Sequence, residues 1–135
     1  MPLYLCTAKT KAVPPQAKQK IAGDITRIHC AVTDAPPEFV HAFFLEEGPD
    51  RPLGDKKLSV LASIRAGRTQ DQKASIQQQL EDSIQHHTGL CGEDVAIQLV
   101  DTPARWVMEG GEIFPEPGEE AAWMEKQAGI LQPNA

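Results

Sequence analysis

The chain has 135 residues, of which 41% are hydrophobic and 5% aromatic, and its formal net charge is −6 at pH 7. This length fits one domain with an aliphatic core, and the negative charge argues against nucleic acid as a partner. No stretch approaches the ~20 apolar residues that cross a bilayer, and the start, MPLYLCTAKTK, does not resemble a signal peptide. The cysteines, Cys6, Cys30 and Cys91, are odd in number and widely spaced, which is typical of reduced cytoplasmic thiols.

The first half of the chain predicts a strand, a helix and a second strand. Residues 3–7 are a β-prone run that follows Pro2 directly. Apolar residues then recur at helical spacing over 17–32, after two prolines that suit the first turn of a helix. The segment 34–37, with two further prolines, ends this helix, and residues 39–45 predict the second strand.

The same pattern repeats about 55 residues later in the chain. Residues 58–64 predict a strand, and Thr69 with Gln72 forms the pattern of a capping box. An amphipathic helix follows over 74–84, and residues 95–100 predict a fourth strand. Each unit joins parallel strands by a right-handed crossover, so the tandem β-α-β duplication predicts an α/β fold with a four-stranded sheet and two helices on one face. We expect another subunit to cover the other face.

The chain after residue 100 predicts a smaller C-terminal region. Residues 110–114 suggest a short hairpin, and residues 115–135 are rich in Pro, Gly and Glu. This composition predicts a mobile end that Trp123 pins in part. The predicted division is one domain over 1–123, with β-α-β units over about 2–47 and 58–100 joined by a polar linker over 48–55, and a tail over 124–135.

Pro2 is the first candidate for chemistry. It follows the initiator methionine, and a small second residue normally lets the cell remove Met1. The freed amine would be a secondary amine in a rigid ring, and α-amino groups gain and lose a proton at roughly pH 7.7–8.0. The alternative is that Pro2 has no chemical role.

Four further residues are candidates on their own chemistry. Arg65 and Arg68 follow a strand end and flank a glycine, where two guanidinium groups suit a planar carboxylate or form salt bridges. His29 continues the apolar face of the first helix, which fits either a substrate contact or a buried core histidine. Glu109 precedes two glycines and is either a general base or an ordinary surface acid. No residue spacing predicts a metal site or a phosphate loop, so we expect no cofactor.

These pieces together resemble the tautomerase superfamily and, within it, the cis-3-chloroacrylic acid dehalogenase family. The matching pieces, over roughly residues 2–123, are Pro2, His29, Arg65-Ala66-Gly67-Arg68, Glu109 within PARWVMEG, and FPEPG at 114–118. The resemblance implies a trimer with sheets around a central core and Pro2 at the base of a pocket. It implies that His29 and the arginine pair bind the carboxylate of a small acid. It also implies that Glu109 and a tyrosine activate water while protonated Pro2 delivers a proton to carbon.

The sequence departs from the family at one position, because the place of that tyrosine falls on Gln98. An amide can orient water but offers no phenol, so we expect Gln98 to contact substrate and dehalogenation to be weak. The resemblance thus implies a cofactor-independent isomerase and hydratase-dehalogenase, a hydrolase for halogenated acids, acting as a cytoplasmic homotrimer on small 2-oxo or α,β-unsaturated carboxylates. Two alternatives stay open: a non-catalytic binding or signalling protein on the same scaffold, and a structural scaffold with a relic pocket.

Overall fold

A computed structural model describes residues 1–131 of the chain, with side chains as far as residue 129. Two long helices and four long strands form two strand–helix–strand units, as the sequence predicts. The elements are β1 (Leu3–Ala8), α1 (Pro15–Thr33), β2 (His41–Glu46), β3 (Leu58–Arg65), α2 (Gln70–Thr88), β4 (Val95–Thr102), the short strands β5 (Met108–Glu109) and β6 (Glu112–Ile113), and α3 (Glu120–Leu131).

The four long strands form one sheet in the order β2-β1-β3-β4. Strands β1 and β2 are parallel, as are β3 and β4, and the two units meet through the antiparallel pair β1–β3. The predicted fold class is therefore confirmed. Because β1 is an interior strand, the first residues of the chain lie between the ends of two neighbouring strands instead of at an edge.

The core lies between one face of the sheet and the two long helices. Alternate residues of β1 and β3 point to this face, as the period of a strand requires. The helices meet them with apolar residues at helical spacing. The buried set is Tyr4, Cys6, Ala8, Leu58, Val60, Ala62 and Ile64 from the strands and Ile21, Ile25, Ile28, Ile76, Leu80 and Ile84 from the helices. Both predicted helices thus cover the same face.

The beginning of α2 forms the predicted capping box. Thr69 Oγ1 accepts a hydrogen bond from the backbone N–H of Gln72 at 3.1 Å, and Gln72 Oε1 accepts one from the N–H of Thr69 at 2.9 Å. Two of the four N–H groups left over at the helix start are satisfied in this way.

Two elements differ from the sequence prediction. Strand β2 begins at His41 and not at residue 39, because Pro37–Phe39 forms a 3-10 turn that buries Phe39. In the C-terminal segment, where the composition predicts a mobile end, α3 extends from Glu120 to Leu131. Good helix formers favour this helix, and Trp123 Nε1 donates to the Ile113 carbonyl at 2.8 Å. Residues 132–135 lie outside the described residues, and the division into domain and tail stays a prediction.

The other face of the sheet carries exposed apolar side chains. Phe43, Leu61 and Val100 point to this face and are 55%, 41% and 37% exposed. We call this surface, defined by these three residues, the open face. None of the helices within residues 1–131 is long and apolar enough to span a bilayer.

Candidate active site

The N-terminus lies inside the fold, at the start of the interior strand β1. The Pro2 side chain is fully buried, and its carbonyl accepts a hydrogen bond from the N–H of His41 at 3.0 Å. Met1 is buried as well, at 5% exposure, and packs with Phe39 and Phe114. The Met1 amine donates to Glu109 Oε1 and forms an ion pair with it. Burial lowers the pKa of this amine, Glu109 opposes the shift, and the charge of Arg65 adds to it.

Glu109 is positioned by the predicted hairpin. Strands β5 and β6 pair through Met108–Ile113 and Glu109–Glu112, which leaves a loop of two glycines, Gly110 and Gly111. Their φ values of +60° and +81° suit the tight two-residue turn for which glycine is favoured. The turn directs the half-buried Glu109 to the N-terminus, where His41 Nε2 also lies 3.7 Å from its carboxylate.

Arg65, at the end of β3, is bound by its own chain. The side chain is 2% exposed, and its guanidinium donates to the Pro115 carbonyl and to Glu120 Oε1, both at 2.7 Å. Glu120 also accepts the N–H of Gly118 through its other oxygen at 2.9 Å. Hydrogen bonds from Arg65 lower the pKa of Glu120 despite its partial burial. Arg65 therefore anchors the C-terminal segment to the site.

Arg68 lies on the far side of Gly67, whose φ of +109° turns the chain between the two arginines. The side chain is half-buried, and its Nε has no hydrogen-bond partner among the described residues. Burial and the charge of Arg65 lower the pKa of Arg68. A buried donor without a hydrogen-bond partner costs free energy.

His29 is fully buried on α1, and its Nδ1 lies 2.8 Å from the hydroxyl of Tyr4. Burial raises the pKa of Tyr4, so the phenol keeps its proton, and the tautomer of His29 sets the direction of this hydrogen bond. Burial, followed by the charges of Arg68 and Arg65, lowers the pKa of His29 to about 3. A neutral ring that accepts at Nδ1 carries its proton on Nε2, where it can donate to a substrate oxygen.

Comparison with known proteins supplies the family. The family model Tautomerase_3, described as "Putative oxalocrotonate tautomerase enzyme", matches residues 1–128. The chain belongs to this family. The resemblance to the tautomerase superfamily is thereby confirmed. No curated protein sequence matches the chain.

Solved structures of tautomerases share the fold of this chain. Native Ps01740 is 32% identical to this chain and has a TM-score of 0.73. The match covers 80% of this chain and 100% of the Ps01740 chain. N1, a member of the cis-3-chloroacrylic acid dehalogenase family, is 22% identical over 96% of this chain and 100% of its own, with a TM-score of 0.81. A wild-type fused 4-OT described as a symmetric trimer is 21% identical to this chain, with a TM-score of 0.71. The match covers 84% of this chain and 95% of the fused 4-OT chain.

Gln98 is the one site residue of this tautomerase chain that lies away from the others within a protomer. It is exposed on β4 and pairs with Leu61, which pairs with Leu5 of β1. In this register Gln98 lies two strands away from β1, which is about 10 Å across the sheet. It also lies three residues away from the level of Pro2, which is about 10 Å along the strand direction. Gln98 lies on the same side of the sheet as the residues of the open face. Its contact with substrate stays a prediction.

Two residues of the candidate site, Tyr4 and Glu120, were not anticipated from the sequence. Tyr4 is the only tyrosine of the chain and lies two residues after Pro2 on the buried face of β1. A buried phenol needs a hydrogen-bond partner, so the position of Tyr4 on the buried side of a predicted strand could have suggested a polar partner such as His29. Glu120 offered no comparable sign, because 55 residues separate it from Arg65.

An open cleft of about 380 Å³ adjoins the N-terminus on the side of the open face. It is lined by Met1, Leu3, His41, Phe43, Ser63, Thr102, Val107, Met108 and Glu109. Within residues 1–131 no cluster of three or more His, Cys, Asp or Glu side chains is placed to hold a metal ion.

Proposed function

We propose that the chain is a cofactor-independent enzyme that acts on small 2-oxo or α,β-unsaturated carboxylates with Pro2, freed by removal of Met1, as acid and base. The position of Met1 carries this proposal. Its backbone links the Pro2 nitrogen to the Glu109 carboxylate, close to the charge of Arg65. Removal of Met1 would open a space bordered by an amine, an acid and a cation, which suits a small carboxylate.

In this proposal Arg68 and His29 hold the substrate carboxylate. Arg68 Nε is buried without a partner in the described part of the chain, and the neutral His29 ring, in the tautomer that accepts from Tyr4 at Nδ1, has a donor at Nε2. Charge-assisted hydrogen bonds from a guanidinium to a carboxylate are about twice as strong as neutral ones. Arg65 contributes its charge, while its own donors stay with Pro115 and Glu120.

The tautomerase reaction begins with neutral Pro2. The amine takes the hydroxyl proton of an enol acid, which leaves an enolate and a protonated amine. As the C–O bond of the enolate becomes a carbonyl, the electron pair of its C=C bond takes the proton from the amine at carbon, which restores the neutral amine. Burial and the charge of Arg65 lower the pKa of the amine now on Met1, and the same surroundings would favour neutral Pro2.

Addition of water is the competing reaction. Glu109 takes a proton from water, the oxygen bonds to C3 of an unsaturated acid, and protonated Pro2 gives its proton to C2. Where C3 carries a halogen, the product loses halide and a proton to become an aldehyde. This reaction needs a charged amine, so the protonation state of Pro2 decides between the two. We expect dehalogenation to be weak, because Gln98 supplies no phenol.

We also propose that the enzyme is a cytoplasmic homotrimer. The open face would be covered by other subunits, because burying exposed apolar side chains such as Phe43 and Leu61 favours association. The similar fused 4-OT, described as a symmetric trimer, supports this assembly. Gln98 could reach a Pro2 site only from another subunit. The cysteines form no disulfide, which fits a reducing compartment.

The experiment combines intact-mass measurement with assays on phenylenolpyruvate and cis-3-chloroacrylate. We expect the purified protein to lack Met1 and to convert at least the enol. Pro2→Ala should lower turnover by about 10²-fold or more, whereas Pro14→Ala, at the start of α1, should leave it unchanged. Turnover of neither acid, or equal turnover by Pro2→Ala, would show the mechanism to be wrong. An intact Met1 without turnover would favour a binding or signalling protein.

A further inference from the structure

Tyr4 and His29 form a polar pair inside the core. Both side chains are fully buried, and the Tyr4 hydroxyl lies 2.8 Å from His29 Nδ1. The two rings meet edge to face, with their centroids 5.7 Å apart. Around them, Cys6 of β1 and Ile25 and Ile28 of α1 are buried and apolar. The hydroxyl and Nδ1 therefore have to satisfy each other.

Two arrangements of hydrogen fit this pair, because both groups are neutral. Burial raises the pKa of the Tyr4 phenol and lowers that of the His29 imidazole to about 3. In the first arrangement the phenol donates to Nδ1, and the ring carries its own proton on Nε2. In the second, the Nδ1–H group donates to the phenol oxygen, so the phenol hydrogen needs another acceptor.

The contacts of the Tyr4 hydroxyl favour the first arrangement. Among the side chains and backbone that the structure describes, His29 Nδ1 is its one hydrogen-bond partner. The second arrangement would leave a buried O–H group without an acceptor, which costs free energy. The first arrangement satisfies both the hydroxyl and Nδ1. It leaves the hydrogen on Nε2 for an acceptor that the described residues do not supply.

Resting on the proposed function, we propose that Tyr4 is a positioning residue that fixes the tautomer of His29, so that Nε2 presents a hydrogen to the substrate carboxylate. Tyr4 acts through His29 and makes no contact with the substrate. Arg68 supplies a second donor, because its Nε is buried without a partner within the described chain. After burial, the charge of Arg68 has the largest influence on the pKa of His29, so the two groups are close. Two N–H groups suit an acceptor-only ligand such as an ionised carboxylate, which a lone pair on Nε2 would repel.

NMR of nitrogen-15-labelled protein without Met1, near neutral pH, reads the tautomer directly. We expect a single tautomer of His29 with the proton on Nε2, and His29→Leu identifies the ring signals by their absence. Tyr4→Phe removes only the hydroxyl and should give a mixture of both tautomers. Thr26→Val is the matched control, because the Thr26 hydroxyl on the same helix donates to the Ala22 carbonyl. A proton on Nδ1 in the wild type, or an unchanged single tautomer in Tyr4→Phe, would overturn the proposal.

Binding of propanoate, an unreactive short acid, tests the consequence for the carboxylate site by NMR titration. Tyr4→Phe should raise the Kd about 10-fold, as expected for loss of a hydrogen bond to a charged group. His29→Leu should weaken binding to a similar extent, and the double variant should be no weaker, because the phenol acts through the imidazole. The double variant replaces both polar partners by apolar side chains of similar size, so it should fold. An additive loss in the double variant would mean a direct contact with the acid and would overturn the positioning role.

Turnover separates this inference from the proposed function. In the phenylenolpyruvate assay Tyr4→Phe should raise KM about 10-fold and leave kcat nearly unchanged, because Pro2 and Glu109 stay in place. If the tautomer and the Kd change as expected but no enol is converted, the positioning role stands and the proposed catalysis fails. If turnover depends on Pro2 while Tyr4→Phe changes neither tautomer nor KM, the positioning role is overturned and the proposed function stands. A wild type that does not bind propanoate would also overturn the positioning role.

Discussion

The buried His29 predicts a loss of stability in mildly acidic solution. Burial, with the charges of Arg68, Arg65 and the N-terminal amine, lowers the pKa of His29 from 6.5 to about 3. Unfolding exposes the ring, which then binds a proton at pH values below 6.5. Because the unfolded state binds more protons in this window, the free energy of unfolding falls as the pH decreases from 6.5 to 3. Above the window this group has no effect.

The size of the effect follows from the two pKa values. At pH 5 the unfolded ring is almost fully protonated and the folded ring almost fully neutral, which removes about 2 kcal/mol relative to pH 8. His29→Gln keeps a polar side chain that does not titrate. The loss between pH 8 and pH 5 should therefore be about 2 kcal/mol smaller in this variant than in the wild type. The free energies of unfolding at pH 8 and pH 5 are compared within each protein. A loss of stability that is the same at both pH values therefore cancels.

Urea unfolding followed by tryptophan fluorescence, at pH 8 and pH 5 and at one protein concentration, measures both free energies. His86→Gln is the matched control, because His86 is an exposed histidine at the end of α2. We expect this control to keep the pH dependence of the wild type. If His29→Gln also kept the pH dependence of the wild type, the folded and unfolded states would bind the same number of protons at His29. That result would refute the lowered pKa of His29.

The remaining predictions concern the other site residues and the open face. Arg65→Gln should lower the free energy of unfolding by about 2 kcal/mol, measured in urea, because it removes the charge-assisted hydrogen bonds from Arg65 to the Pro115 carbonyl and to the partly buried Glu120. Arg68→Gln should instead raise KM for short acids about 10-fold or more, with a nearly unchanged Tm. Glu109→Gln should slow water addition to cis-3-chloroacrylate by ~10²–10⁴-fold and affect the tautomerase assay less. Gln98→Tyr should raise halide release, and no gain would mean that Gln98 does not contact the water. Leu61→Lys should convert the proposed trimer to monomers in sedimentation velocity, because burying an unpaired charge in the interface is costly.

The fold could be predicted from the sequence because it depends on short-range patterns. Strand alternation around Tyr4, helical spacing in α1 and the capping box at Thr69 each involve residues a few positions apart. Helix α3 was not predicted, because the prolines and the glycine of residues 115–118 and the acidic composition that follows hide its helical pattern. The contact that holds this helix joins Trp123 to a carbonyl ten residues away, and no local pattern records it.

The sequence predicts both arginines of the candidate site but not the different contacts that each one makes. Arg65 and Arg68 have the same charge and stand three positions apart, so the sequence treats them as one clamp. The backbone at Gly67 directs them differently, and only Arg65 meets Pro115 and Glu120. A carboxylate substrate would have to displace Glu120 from Arg65, whereas Arg68 offers a buried donor without a partner in the described residues. Pro115 and Glu120 therefore make Arg65 an anchor for the C-terminal segment and leave Arg68 as the arginine that we propose for the substrate carboxylate.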